Sequence, residues 1–401
     1  MRRSASRGCP AALDTRARAR APPLRALAAS GGPPPANCRS ARTSSRGPST
    51  LRFPPHPTDP KRTLRRSPRS RGELAVCCPT GASSVDQPLS PPSRSLEPFL
   101  DLLRCPRTQE PLRLEGERLL TEGGAEIPLD PAGIPLFARE LLREESRRQQ
   151  EHYDRVASLY LEHQDPPHVR EYLDFVDGLL LAEVRRPVRT LVELCCGRGD
   201  ALALPGLNYG RGVGVDVSTA MLSAGVQALR DRRALLVQGD ATSLPLRDEA
   251  CDAVVVLGGI HHVPDRAALF REVARVLEPG GRFYWREPVD DFLPWRALRA
   301  LIYRLSPNLD HATEEPLRRE RTEAELARAG LRLDSWRTCG FLAWAGLLNA
   351  EVLVVNRFFR YLPGMRTVAR AGIRFDEALL GQAWLRSRGL QVVGVAEKPA
   401  L

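Results

Sequence analysis

The fold is decided at Val192-Glu-Leu-Cys-Cys-Gly-Arg-Gly-Asp200, where an apolar strand ends in a loop that holds two glycines. Glycines at such a strand end let the backbone approach a nucleotide ligand closely. Asp216 follows Glu193 by 23 residues and ends a second apolar run, and Asp240 follows Asp216 by 24 residues. A carboxylate at the tip of the second strand is well placed to accept hydrogen bonds from two ribose hydroxyls. The stretch therefore predicts a nucleotide-type binding site.

Apolar strand patterns alternate with helical patterns on both sides of this stretch. Such alternation predicts an α/β fold, with a parallel sheet covered by helices on both faces. Helical patterns occupy residues 219–229 and 266–277. The predicted strands are residues 190–194, 212–217, 234–237, 252–257 and 282–285.

The net charge of +11 would suggest a nucleic-acid partner, but the positive charge is concentrated at one end of the chain. Residues 1–71 contain 17 basic residues and only two acidic ones, so the remaining 330 residues carry a net charge of −4. A mildly acidic folded part has no electrostatic reason to bind a phosphate backbone. Nucleic acid is therefore not expected as a partner.

Residues 1–95 form an Arg-, Pro- and Ser-rich tail without sustained periodicity, which predicts disorder. Three interpretations stay open: a functionless or artefactual extension, an organelle-targeting segment, and a binding arm. The nine cysteines form no CxxC pair and their number is odd, which predicts neither a disulfide framework nor a metal site. We therefore expect a reducing, cytoplasmic compartment, or an organelle if the tail is a transit peptide.

A small β-rich module is predicted at residues 96–138, from short apolar runs separated by Gly and Pro turns. Its Gly133-Ile-Pro phrase resembles the zinc-ribbon-like domain of tRNA-methyltransferase activator subunits. Those domains carry paired cysteines, whereas only Cys105 stands here, and one thiolate cannot complete a tetrahedral zinc site. The module is therefore predicted to be degenerate. Two helices, at residues 139–150 and 168–184, follow it.

Residues 150–290 closely resemble the class I S-adenosylmethionine-dependent methyltransferases, in particular the type 11 subgroup that includes ubiquinone and menaquinone methyltransferases. The strand-end acids, the run Asp252-Ala-Val-Val-Val-Leu257 and the phrase Leu277-Glu-Pro-Gly-Gly281 carry this resemblance. It implies a Rossmann-like seven-stranded methyltransferase sheet and S-adenosyl-L-methionine as the cofactor. The implied cofactor-binding residues are Glu193, Cys195, Gly197 and Gly199 at the methionine end, Asp216 and Val217 at the ribose and adenine, Asp240 and Ala241 at the adenine, and Gly258 beside the methyl group.

The loop departs from the family pattern at two positions. Cys195 replaces the first glycine, and Asp200 stands where a small residue is usual, so weaker cofactor binding or a pseudo-enzyme is an alternative. A Rossmann dehydrogenase is the structural rival, but its fingerprint needs a third glycine at the position of Leu202. The methyltransferase interpretation is therefore preferred.

The catalytic candidates are His261, His262 and Glu287, with Asp265 and Tyr153 as further candidates. Methyl transfer is an in-line displacement that needs alignment and desolvation, and a base only where the acceptor must lose a proton. Each candidate also has a structural alternative: His262 and Asp265 at the start of a helix, Glu287 paired with an arginine, and Tyr153 in packing.

Residues 150–401 are predicted to form one domain, with helices at 292–303 and 323–329, an edge hairpin from strands at 331–336 and 391–397, and an insert at 341–382. The predicted function is O- or C-methylation of a small, apolar organic acceptor. An RNA methyltransferase is the alternative from another substrate class. The interrupted apolar runs of the insert favour packing, with a lid or a peripheral membrane contact through residues 341–360 as alternatives. The oligomeric state is left open.

Overall fold

The computed structural model describes residues 96–138, 144–164, 166–229, 233–305, 315–348 and 354–400. The predicted disordered tail, residues 1–95, lies outside these ranges. The described chain begins with a three-stranded antiparallel sheet in the order β1-β2-β3. Its strands are β1 (Leu112–Glu115), β2 (Arg118–Thr121) and β3 (Glu126–Ile127).

A seven-stranded sheet forms the centre of the molecule. Its strands are β4 (Val188–Leu194), β5 (Tyr209–Asp216), β6 (Ala234–Gln238), β7 (Cys251–Leu257), β8 (Leu277–Pro288), β9 (Arg332–Cys339) and β10 (Gln391–Glu397). The spatial order is β6-β5-β4-β7-β8-β10-β9. Strand β10 runs antiparallel to both β8 and β9, and the other neighbouring strands are parallel to each other. This arrangement confirms the predicted Rossmann-like methyltransferase sheet and its edge hairpin.

Seven α-helices are described around this sheet. They are α1 (Glu144–Gln164), α2 (Pro167–Glu183), α3 (Thr219–Ala228), α4 (Arg266–Val276), α5 (Leu293–Leu305), α6 (Arg319–Arg328) and α7 (Met365–Leu380). The insert between β9 and β10 contains a π-helical turn at Trp344–Leu348, a 3₁₀ helix at Val354–Tyr361 and then α7. Within the described part of the chain, no helix is long and apolar enough to span a bilayer.

Two apolar cores cover the two faces of the sheet, because successive strand residues point to opposite sides. Val192 and Leu194 belong to the core that contains α4, α6 and the N-terminal module, whereas Leu191 belongs to the core that contains α2 and α7. The same alternation holds along β7 and β8. Helices therefore cover both faces, as predicted.

The N-terminal module packs against the β6 end of the sheet instead of standing apart. Leu136 pairs with Gln238 at the end of β6, and Asp101 forms a bidentate ion pair with Arg211 of β5 at 2.7 Å. Leu102 and Leu103 are fully buried in the core that the module shares with the sheet. The module thus covers the outer edge of β6, where unpaired backbone groups would otherwise be exposed.

Two helix predictions need correction. The charged helix predicted at residues 139–150 begins at Glu144 and runs to Gln164, and residues 139–143 lie outside the described ranges. The helix predicted at 323–329 begins four residues earlier, at Arg319. The glycine loop after β4 forms turns at residues 197–203 and does not continue into a helix. A helix has little room there, because Pro205-Gly206 interrupts the segment just before β5 begins at Tyr209.

Candidate active site

A cavity of 510 Å³ opens at the carboxyl ends of the parallel strands β4, β5, β6 and β7. Ligands of open α/β sheets bind at this edge, near the point where the strand order reverses. Each of the nine predicted cofactor-binding residues is placed in the neighbourhood of these strand ends, and eight of them line the cavity: Glu193, Cys195, Gly197, Asp216, Val217, Asp240, Ala241 and Gly258. Gly199 is not among the lining residues, although it shapes the loop.

Cys195, at the position of the missing glycine, adopts a left-handed backbone conformation with φ of +50°. A non-glycine residue in this region is strained, which explains why glycine is usual there. The structure accommodates the side chain because Gly259 faces it. A Cβ added at Gly259 would lie 2.3 Å from Cys195 Cβ. Gly259, in the neighbouring loop, thus leaves the space that the Cys195 side chain occupies.

The Cys195 thiol has a pKa well above its ordinary value, because the group is buried and surrounded by carboxylates, Asp216 first among them. A thiol with a raised pKa carries little thiolate at neutral pH and is a poor nucleophile. Cys195 therefore shapes the loop and lines the cavity, and its raised pKa disfavours the thiolate.

Glu193 holds the turn that follows the glycine loop. Its carboxylate accepts hydrogen bonds from the Ala201 N–H at 2.8 Å and the Leu202 N–H at 3.0 Å. Burial raises the pKa of Glu193 to about 8, although these two hydrogen bonds act in the opposite direction. Leu202 packs directly above Gly212 of β5, where an added Cβ would lie 2.4 Å from the Leu202 side chain. A third glycine in the loop would let the loop pack closely on the sheet. Here Gly212 of β5 is the small residue at this contact, and Leu202 packs on it.

The carboxylates of Asp216 and Asp240 fix the two loops that follow β5 and β6. Asp216 accepts hydrogen bonds from the Gly197 N–H at 2.7 Å and the Ser218 N–H at 2.8 Å, and burial raises its pKa. Asp240 accepts from the Thr242 N–H at 2.8 Å and from the Ser146 hydroxyl of α1 at 2.6 Å. Both side chains also line the cavity, so they can bind a ligand while they hold its walls.

Gln238 is a buried residue of this site that the sequence analysis missed. Its backbone pairs with the module, through the Phe137 N–H at 2.9 Å and the Pro135 carbonyl at 2.8 Å. Its side chain accepts from the Ala138 N–H at 3.0 Å and donates to the Val217 carbonyl at 3.3 Å. Gln238 therefore ties the module to the cavity wall. No local sequence pattern could predict this contact, because Ala138 is 100 positions away from Gln238 in the sequence.

Helix α1 lies across the cavity and contributes Ser146, Gln149 and Tyr153 to its lining. Besides the Ser146 contact with Asp240, the Asp154 carboxylate accepts a hydrogen bond from the Ser218 hydroxyl at 2.6 Å. The helix is thus attached to the loops that follow β5 and β6. Tyr153, one of the further catalytic candidates, therefore lies in α1 at the wall of the cavity.

Glu287 and His261 form a buried pair beneath the loop that follows β7. One Glu287 carboxylate oxygen accepts from the Gly259 and Ile260 N–H groups at 2.7 Å, and the other lies 2.6 Å from His261 Nδ1. Burial raises the pKa of Glu287 to about 7. Neither side chain is among the lining residues, so the expectation that Glu287 faces the cleft is corrected. Its direction is fixed by the loop amides, which the strand pattern cannot reveal.

His262 is the predicted catalytic residue that reaches the cavity. Its Nε2 lies 2.8 Å from the Tyr153 hydroxyl, which connects the loop after β7 to α1. Asp265 also lines the cavity, but it acts as the N-cap of α4 by accepting from the Ala268 N–H at 3.0 Å. The helix-capping alternative for Asp265 is therefore the one the structure supports.

The cavity lining is acidic. Among the described residues, five carboxylates and no lysine or arginine line it: Glu193, Asp200, Asp216, Asp240 and Asp265. Arg198 donates to Asp200 at 2.7 Å from outside this lining. Such a site attracts a cationic ligand and disfavours the pyrophosphate of a nicotinamide dinucleotide. The Rossmann dehydrogenase alternative thus has an electrostatic argument against it as well as the missing third glycine.

Residues 192–285 match the family model described as "Methyltransferase domain". Demethylmenaquinone methyltransferases of Bacillus cereus (strain AH187) and Bacillus anthracis (strain CDC 684 / NRRL 3495) are 37% identical over 103 residues. That match spans 24% of this chain and 44% of each relative, so the chain covers less than half the length of these curated relatives.

Two solved structures resemble the fold. One is a complex between the Haloferax volcanii Trm112 methyltransferase activator and a methyltransferase, with 20% identity, a TM-score of 0.44, and coverage of 63% of this chain and 98% of that chain. The other is geranyl diphosphate C-methyltransferase from Streptomyces coelicolor A3(2), with 18% identity, a TM-score of 0.38, and coverage of 55% and 74%. These scores carry no argument about activity. The segment from β4 to β8 is thus similar to a methyltransferase domain over residues 192–285.

Proposed function

We propose that this chain is an S-adenosylmethionine-dependent methyltransferase. The observation that carries the proposal is the acidic cavity at the carboxyl ends of β4 to β7, within the segment that matches the methyltransferase family. S-adenosylmethionine carries a sulfonium and an ammonium group, and both are attracted by carboxylates that line a buried site. The same lining would repel the phosphates of the rival dinucleotides.

The residues fit this cofactor from one end to the other. Asp216 stands at the tip of β5, where its carboxylate can accept from the ribose hydroxyls. Asp240 and Ala241 would meet the adenine, and Glu193 with the glycine loop would hold the methionine end. Gly258 has a φ of +78° and no atom within 4 Å of an added Cβ, so its backbone leaves open space beside the methyl path.

The bound cofactor would supply a methyl group on a sulfonium, a reaction that needs alignment and desolvation more than acid–base chemistry. We assign His262 to the acceptor side, where it can take a proton from an acceptor hydroxyl or activated carbon, with Tyr153 orienting the ring. Glu287 and His261 would act as positioning residues, because they fix the loop that carries Gly258 and His262.

The acceptor is proposed to be a small, apolar organic molecule methylated at oxygen or carbon. The relatives named demethylmenaquinone methyltransferases support a quinone-type acceptor, although they share only part of their length with this chain. An RNA acceptor is the weaker alternative, because the described lining residues include five carboxylates and no lysine or arginine. The pseudo-enzyme alternative rested on Cys195, and the opposing Gly259 removes the steric reason for it.

Transfer of a radiolabelled methyl group from S-adenosylmethionine tests the proposal. The full-length protein is expected to label a component of the organic-solvent extract of cells. His262→Asn is expected to lower kcat, with a smaller change in the KM for the cofactor. The matched control is His152→Asn, on the exposed side of α1. Labelling of RNA alone would favour the alternative acceptor, and an unchanged kcat in His262→Asn would remove the proton-accepting role.

A further inference from the structure

The exposed apolar side chains of this molecule are concentrated in one region. Across the described ranges nine large apolar residues are exposed, from Val368 at 43% to Tyr361 at 76%. All nine belong to α5 or to the insert between β9 and β10: Leu293, Leu298, Leu342, Phe358, Tyr361, Leu362, Val368, Phe375 and Trp384. Single exposed apolar residues are ordinary, but a concentration of this kind marks an interaction surface.

Both segments leave the sheet at the edge where the cavity opens. Cys339, the last residue of β9, and Pro288, the last residue of β8, both pair with Gln391. The segments also contact each other, since Phe292 packs on Phe341 with ring centroids 5.5 Å apart and Trp295 packs on Trp344 at 5.9 Å. We call α5 and the exposed part of the insert together the basic–apolar face.

The same segments are strongly basic, although the chain beyond residue 71 is acidic. Helix α5 contains three arginines and no carboxylate. Residues 354–390 contain seven arginines and two carboxylates, a net charge of +5. One of the two carboxylates, Asp376, is buried and accepts from the Phe341 and Trp344 N–H groups at 2.7 and 2.9 Å. Arg366 and Arg370 pair with Glu171 of α2, and Glu377 pairs with Arg337. The remaining arginines give these segments a net positive charge.

We propose that the basic–apolar face binds the surface of an anionic lipid bilayer. Exposed Trp, Phe and Leu side chains insert at the boundary of headgroups and acyl chains, while arginines bind the negative headgroups. The predicted contact at residues 341–360 is thereby extended to α5, α7 and Trp384. The inference deepens the proposed function, on which its consequence rests: the cavity edge is held at the membrane, where an apolar acceptor is dissolved.

A lipid surface fits this face better than two other occupants. Five of the nine exposed residues are Leu or Val, and aliphatic side chains cannot stack on bases as single-stranded nucleic acid requires. A second copy of the chain is disfavoured because a two-fold contact would bring two faces of the same positive charge together.

Flotation with lipid vesicles tests the proposal on the full-length protein, without cofactor. Binding to vesicles of phosphatidylcholine mixed with phosphatidylglycerol is expected, with much weaker binding to phosphatidylcholine alone. Arg374→Glu on α7 is expected to weaken binding roughly tenfold. The matched control is Arg107→Glu in the module, at the opposite end of the sheet, which should change binding little. Because both variants keep the Arg-rich residues 1–71, any contribution of the tail is the same in both.

A second variant tests the apolar contribution. Phe375→Ser combined with Trp384→Ser should weaken vesicle binding without changing the folding transition, since both side chains are exposed. Quenching of tryptophan fluorescence by brominated lipid should fall in Trp384→Phe. The proposal is overturned if the Arg374 and Arg107 variants bind vesicles equally, if RNA binds this face in preference to vesicles, or if the face forms a dimer that the double variant dissolves. Cofactor binding is measured separately, so its failure would reject the proposed function and leave vesicle binding standing.

Discussion

At the scale of single residues, the site is built from carboxylates that hold loops and line a cavity at once. Glu193, Asp216 and Asp240 each accept backbone N–H groups from the loops around them. Burial raises the pKa values of Glu193 and Asp216, because ionising these carboxyls inside the ligand-free protein carries a cost in free energy. A cationic ligand would relieve this cost.

The raised pKa values predict how stability depends on pH. Burial raises the pKa of Glu193 from 4.5 to about 8 and that of Glu287 to about 7. In this window the folded protein keeps protons that the unfolded chain has released, so the free energy of unfolding falls as pH rises. Each group contributes a slope of at most about 1.4 kcal/mol per pH unit.

Denaturant unfolding measured from about pH 5 to about pH 8 checks this prediction. Glu193→Gln and Glu287→Gln should each make the decline of unfolding free energy shallower. Glu126→Gln is the control, because Arg118 lowers the pKa of this exposed carboxyl, so that it titrates below the window. A slope unchanged in both buried variants would show that these groups are ionised throughout.

Cys195 and Gly259 are predicted to be coupled energetically. Gly259→Ala should destabilise the protein by about 2 kcal/mol, because its Cβ would overlap that of Cys195. In a Cys195→Gly background the same substitution should cost clearly less, and the double-mutant cycle measures the difference. Gly346→Ala is the control, since an added Cβ there meets no atom within 4 Å. Additive effects would contradict the account of the loop.

At the scale of secondary-structure elements, the sequence predicted the strands well because buried parallel strands are nearly continuous apolar runs. The predicted strand at residues 234–237 matches β6 to within one residue, and 391–397 matches β10. The predicted strand at 282–285 was too short, since β8 extends from Leu277 to Pro288.

The site was only partly predictable for a physical reason. The positions of Asp216 and Gly258 at the cavity could be predicted, because Asp216 ends β5 and Gly258 directly follows β7. The directions in which the Glu287 and Gln238 side chains point could not be predicted, because their partners lie in distant parts of the chain. Glu287 accepts from the amides of Gly259 and Ile260. Gln238 accepts from the Ala138 N–H. A local pattern carries no information about such contacts.

Gln238 is predicted to position the adenine side of the site. In Gln238→Leu the Ala138 N–H loses its acceptor and the Val217 carbonyl loses its donor, so cofactor affinity should fall roughly tenfold. Gln238→Glu keeps an acceptor for the Ala138 N–H, so it should lower cofactor affinity less than Gln238→Leu does. Calorimetry of cofactor binding, with the unfolding midpoint measured in parallel, checks this. A loss of stability with unchanged affinity would assign Gln238 to the fold alone.

At the scale of the whole molecule, the two ends of the sheet are covered by different parts of the chain. The module covers the β6 end and supports the cofactor loops, whereas α5 and the insert form the basic–apolar face at the other end. Among the described residues, those that line the cavity between them run from Ser146 to Asp265. Removal of residues 1–95 is therefore expected to leave cofactor affinity unchanged by calorimetry. A marked loss would assign the tail a part in the site.

The central claim is that the acidic cavity binds S-adenosylmethionine, and calorimetric titration tests it most directly. The full-length protein should bind one equivalent, whereas NADH should give no saturable heat. Asp216→Ala should abolish binding, because it removes the carboxylate at the tip of β5. Asp248→Ala, which removes an exposed carboxylate outside the cavity, should bind like the parent. No binding by the parent at millimolar cofactor, or unchanged affinity in Asp216→Ala, would contradict the account.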